Sequence, residues 1–188
     1  MEESPLLVLT GIASELIPDA GIAEVRAIGS SDPLLWRSYV RAVFALIEGL
    51  NYARLHVARQ SPHLTAEARQ RAHEAAQAEK KVAKADDAGG VTSPTRVSCA
   101  AHAAAHGVQN PLAPSGPDWD ALLDAVAIRN RITHPKSGAD CRVSEAEWQL
   151  VRRVHHWYQQ LDTQLMDATH QSNQGGVEQG DAADKAVL

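Results

Sequence analysis

The stretch Pro33-Leu-Leu-Trp-Arg-Ser-Tyr-Val-Arg-Ala-Val-Phe-Ala-Leu-Ile-Glu-Gly-Leu50 decides the fold. Trp36, Val40, Val43, Ile47 and Leu50 recur every three or four residues, the spacing of one helix face and not of a strand. Ser31 or Asp32 can cap this helix and Pro33 fits its first turn, so the pattern predicts a helix over 33–59. Beyond this helix Pro62 interrupts and Thr65 caps a second helix, 65–86, rich in alanine with Glu67, Arg71, Glu74, Lys80 and Lys81 between. Asp86, Asp87, Gly89, Gly90 and Pro94 break it. Val97 to Ala105 is a short extra helix ended by Gly107, and the segment 107–117, rich in proline and glycine, is a loop.

Trp119, Leu122, Leu123 and Val126 start a third core helix, 117–134, which must stop near His134 because Pro135 disfavours helical geometry at the residue before it. Ser144-Glu145-Ala146-Glu147 reads as a capping box. Trp148, Val151, Tyr158, Leu161 and Leu165 then mark a fourth helix, 144–169. An all-α chain follows, packed most simply as an antiparallel four-helix bundle with short extra helices. Residues 1–31, broken by Gly11, Pro18, Gly21 and Gly29, read as an extension of one or two short helices. Residues 32–170 form the bundle domain, and 171–188 a tail whose composition predicts disorder.

Aromatic residues are only 4% of the 188, which suits helices better than sheets. A net charge of −5 argues against a protein that coats nucleic acid through bulk electrostatics, leaving room for a local basic site. Two cysteines, Cys99 and Cys141, fit a reducing compartment, and the cytoplasm is the expected location. The apolar run Pro5–Ile12 follows two glutamates and is too short to span a bilayer, so no membrane insertion is expected.

On the third helix the apolar face leads from Val126 towards Arg129, Asn130, Thr133 and His134, so the stripe turns polar at its end. Asn130 and His134 are four residues apart, where the amide can orient the imidazole. Arg131 and Lys136 add positive charge. Glu48 interrupts an apolar stretch and can reach across to Arg129, or face solvent at the helix edge.

The string Arg129-Asn130-Arg131-Ile132-Thr133-His134 resembles the signature of the HEPN superfamily, an arginine, a polar residue and a histidine after four to six intervening positions. The resemblance implies a four-helix bundle of that type over roughly 33–169, acting as a metal-independent endoribonuclease. It implies a toxin or phage-defence effector with a composite site across a two-fold dimer. Arg129, Asn130 and His134 would be catalytic, and Arg131, Thr133 and Lys136 would hold substrate, with RNA as the partner and no cofactor or metal. An antitoxin or defence-system partner protein is also implied. The branch paired with a nucleotidyltransferase antitoxin carries a tyrosine two residues after the histidine; Lys136 stands there in this chain. The alternatives are a non-catalytic RNA-binding or dimerising subunit, and a helical adaptor that docks a partner through helix 66–86 and the acidic tail.

Cys99, His102 and His106 share a helix face, but one short helix cannot readily close three ligands around zinc, so small-residue packing and a partly exposed histidine pair are expected. Arg152, Arg153, His155 and His156 read as a solvated face, and the four tryptophans as core.

Overall fold

A computed structural model describes residues 4–85 and 91–185. They form six α-helices: α1 (Pro5–Ala27), α2 (Pro33–Gln60), α3 (Ala66–Ala85), α4 (Thr92–His106), α5 (Pro117–Thr133) and α6 (Glu145–Lys185). The chain is all-α. Helix α6 runs past residue 171, where composition sets the start of the tail.

The helix boundaries follow the capping chemistry. Asp32 Oδ1 accepts from Leu34 N at 2.8 Å, and Thr65 Oγ1 accepts from Ala68 N at 3.1 Å. Ser144 and Glu147 form the reciprocal box, with Ser144 N donating to Glu147 Oε2 at 2.8 Å and Glu147 N to Ser144 Oγ at 3.3 Å. Gly107 ends α4 at φ 66°, a left-handed conformation that a side chain would strain.

Cross-helix pairs fix the directions. Trp36 stacks on Trp148, Tyr39 meets His155 and Arg54 meets Asp162, so α2 and α6 run parallel. Asn51 bonds Thr95 and Arg54 reaches Cys99, which sets α4 parallel to α2. Glu79 with Arg96 and Arg71 with Ala104 set α3 antiparallel to α4, while Asp118 with Arg153 and Glu147 with Arg131 do the same for α5 and α6. From α2 to α6 successive helices therefore alternate in direction.

Helix α2 dominates the core. Val40, Val43, Phe44, Leu46 and Ile47 are each at most 2% exposed, and full burial of such side chains stabilises by roughly 1.5–3 kcal/mol apiece. Trp119 and Trp148 are buried, while Trp36 and Trp157 are partly buried against the same core.

Besides the longer α6, two elements differ from the sequence reading. The short helix of 97–105 is the 15-residue α4, and it belongs to the interior: Thr95, Val97, Ser98, Cys99, Ala101 and His102 are all buried. Its small side chains allow close packing on α2, and α3 stacks its alanines, Ala72 and Ala76, against Val97, Ala101 and Ala105. The N-terminal extension is one 23-residue helix that passes through Gly11, Pro18 and Gly21. Docking on α2 outweighs the breakers, and the approach is close at Gly49, where an added Cβ would sit 2.5 Å from Leu16 Cδ1. By length and composition α1 would also suffice to cross a membrane, more than the run Pro5–Ile12 suggests by itself.

His102 is 2% exposed, with Nε2 3.1 Å from Thr169 Oγ1. Burial, aided by nearby His106 and Arg54, pushes its pKa down to about 3. An unfolded histidine titrates near ~6.5, so neutral His102 contributes its full stability above that pH and loses it as pH falls towards the folded value. Between about pH 7.5 and 5.5 the wild-type chain is expected to lose about 1.4 kcal/mol more than His102→Leu, read by urea unfolding. Equal losses would contradict a neutral buried ring.

Candidate active site at the end of helix α5

The buried stripe of α5 runs through Leu122, Ala125, Ile128 and Ile132. It does not pass from Val126 into Arg129 and Asn130. The apolar face stays apolar to the last turn, and the polar cluster lies beside it, with Arg129 half-buried and Asn130, Thr133 and His134 exposed. The cluster thus forms at little desolvation cost, because its members keep access to water.

Helix α5 ends where expected. His134 N donates to Asn130 O at 3.0 Å, and His134 itself leaves the helix with φ −123° and ψ 60°, ahead of Pro135. Its imidazole stands in solvent and makes no hydrogen bond to the described residues. Asn130 Oδ1 instead accepts from Arg129 Nη1 at 3.1 Å, so the amide is turned to the guanidinium rather than to the ring.

Arg129 is held from a second helix. Its Nη2 donates to Glu48 Oε1 at 2.6 Å, an ion pair across 81 residues of sequence that ties α5 to α2. Glu48 interrupts the apolar run of α2 at its edge and both crosses to Arg129 and remains 44% exposed. Exposed pairs of this kind stabilise by about 0–1 kcal/mol. Glu48→Gln is therefore expected to shift the urea midpoint by less than ~1 kcal/mol equivalent, while releasing the guanidinium; a larger loss would make the pair structural.

The other cationic residues divide. Arg131 is engaged with the loop that follows and the first turn of α6: Nη1 donates to Asp140 O and Arg142 O at 2.9 and 2.7 Å, and Nη2 to Glu147 Oε1 at 2.5 Å. Burial raises the Glu147 carboxyl, but donors from Ser144 and the Arg131 charge outweigh it and hold the group below its ordinary range. The Asp140 carboxyl is held low by the backbone N–H of Lys136, with Ser137 and Arg131 adding to it. Asp140 Oδ2 accepts from Lys136 N and Ser137 N, both at 2.8 Å. This turn fixes the backbone beside His134 and leaves the Lys136 side chain exposed. Thr133 Oγ1 donates to Arg129 O at 2.7 Å, a bond back into its own helix.

The structure thus brings Arg129, Asn130 and Glu48 into contact, places His134 and Lys136 in the open next to them, and commits Arg131 to the loop. Sequence reading missed Asp140 and Glu147 as anchors, although Glu147 was visible as half of a capping box. Comparison of the chain with protein-family models, curated proteins and solved structures finds no match.

Proposed function

We propose that the end of α5 is the RNA-cleaving site of a HEPN-type endoribonuclease, a cytoplasmic toxin or defence effector, and that the helices around it are a bundle of that type. The observation that supports this reading is the arrangement at one helix terminus of a guanidinium positioned by a carboxylate of a neighbouring helix and an exposed imidazole with no hydrogen-bond partner among the described residues.

Neutral His134 takes the proton of a ribose 2′-hydroxyl, whose oxygen attacks the adjacent phosphorus. The bond from phosphorus to the 5′-oxygen breaks, and that oxygen leaves with a proton from an imidazolium. Arg129 stabilises the charge on the non-bridging oxygens in the transition state, and Lys136 attracts the phosphate backbone. One copy supplies one imidazole for two proton transfers, so a two-fold mate supplies the other. No metal takes part in these steps.

Incubation of the purified chain with single-stranded RNA in EDTA tests the reading. Products ending in a 2′,3′-cyclic phosphate and a 5′-hydroxyl are expected. Binding without cleavage would make the chain an RNA-binding subunit, and neither binding nor cleavage would leave the helical adaptor.

A further inference from the structure

Glu24, near the end of α1, sits between consecutive histidines of α6. Its Oε1 is 3.1 Å from His156 Nε2 and its Oε2 is 3.5 Å from His155 Nδ1. Ligand atoms of all three lie within 4.8 Å of one another, and among the described residues this is the set of three such donors that converges. The place is separate from the α5 site: His155 packs on Tyr39, nine residues or about 14 Å along α2 from Glu48.

His155 is not on a solvated face, as the run Arg152–His156 suggests; it is 1% exposed, whereas His156 is about half exposed. A tetrahedral zinc ion with bonds of about 2.0–2.1 Å sets neighbouring ligand atoms roughly 3.3 Å apart. Each imidazole nitrogen stands about that far from one oxygen of the Glu24 carboxylate, 3.1 Å from Oε1 for His156 and 3.5 Å from Oε2 for His155, so a small rotation of the carboxylate brings one oxygen to the vertex between them. Two imidazoles and a carboxylate are a donor set zinc accepts, with the fourth position left to water.

We propose that Glu24, His155 and His156 bind a zinc ion that fastens α1 to α6. Outer partners are already present. Arg152 Nε donates to Glu24 Oε1 at 2.6 Å, which orients the carboxylate as ligating carboxylates are commonly oriented. Tyr39 OH lies 3.0 Å from His155 Nδ1. That nitrogen has one lone pair, so zinc takes the place of the tyrosine hydroxyl on it. His102 and His106, with ring centroids 4.5 Å apart, are the competing histidine pair, but His102 is bonded to Thr169 and among the described residues no third donor joins them.

Titration of the full chain, freed of metal by chelator and dialysis, with zinc chloride in a calorimeter tests the assignment. One ion per chain is expected, with a rise in Tm. Glu24→Gln and His156→Ala are each expected to weaken binding by more than the roughly 10–100-fold that loss of an outer partner costs. His156 is exposed enough for its variant to fold, and His106→Ala is expected to bind as the wild type does. Cobalt in place of zinc is expected to give the intense visible bands of a tetrahedral site. Absence of binding, binding that survives both variants, or binding lost with His106→Ala would overturn the proposal.

Discussion

Asp162→Ala is expected to cost about 3–5 kcal/mol of folding stability, because it leaves the guanidinium of Arg54 buried without a counter-charge. Arg54 is completely buried in the C-terminal half of α2. Its Nε and Nη2 donate to Asp162 Oδ1 at 3.1 and 2.5 Å, and Nη1 donates to Tyr158 OH at 2.9 Å. Around it Asn51 Oδ1 accepts from Tyr158 OH and Ser98 Oγ, and Asn51 Nδ2 donates to Thr95 Oγ1. Burial works against the charge, but Tyr158, Cys99 and Asp162 together hold the Arg54 pKa above its ordinary value. The same burial raises the Cys99 thiol and the Tyr158 hydroxyl, which stay neutral. A double variant, Arg54→Met with Asp162→Ala, removes both charges and is expected to be more stable than Asp162→Ala alone in urea unfolding. Additive losses would contradict the pairing.

The second large effect is on chemistry. Arg129→Ala is expected to lower RNA cleavage about 10²–10³-fold, the usual cost of losing a group that stabilises the transition-state oxyanion. Stability should hardly change, since Arg129 and Glu48 are both partly solvated. A loss of activity that tracked unfolding would refute the assignment of Arg129 to the phosphate.

Much of the fold was legible because local signals agreed with packing. Asp32, Thr65 and Ser144 with Glu147 are caps in sequence and in space, and Pro135 stops α5 by geometry that no tertiary contact needs to supply. Helix α4 was harder to read. Its interior role rests on Ser, Thr, Ala and Cys side chains, which give no large apolar stripe, on Asn51, which bonds Thr95, and on Arg54, whose counter-charge, Asp162, is more than a hundred residues away. A lone arginine in a helix pattern reads as exposed until its partner is located. Helix α1 shows the reverse, since Gly11, Pro18 and Gly21 lower helix propensity while packing against α2 holds the helix together.

The candidate site was legible in its members and less so in its geometry. Arg129, Asn130 and His134 do lie at one helix end, and Glu48 does reach Arg129. The expected amide-to-imidazole contact is replaced by an amide-to-guanidinium one. The helical period alone could not fix which of two adjacent stripes faces the core, and the choice of Ile128 and Ile132 turned the cluster outward.

The most direct test is the rate at which the chain and its His134→Ala variant cleave the same RNA in EDTA, with both shown to be equally folded. Cleavage by the wild type is expected, with a loss of ~10²–10⁴-fold in the variant, because the composite site takes both proton transfers from this position. Undiminished cleavage by His134→Ala would contradict that role.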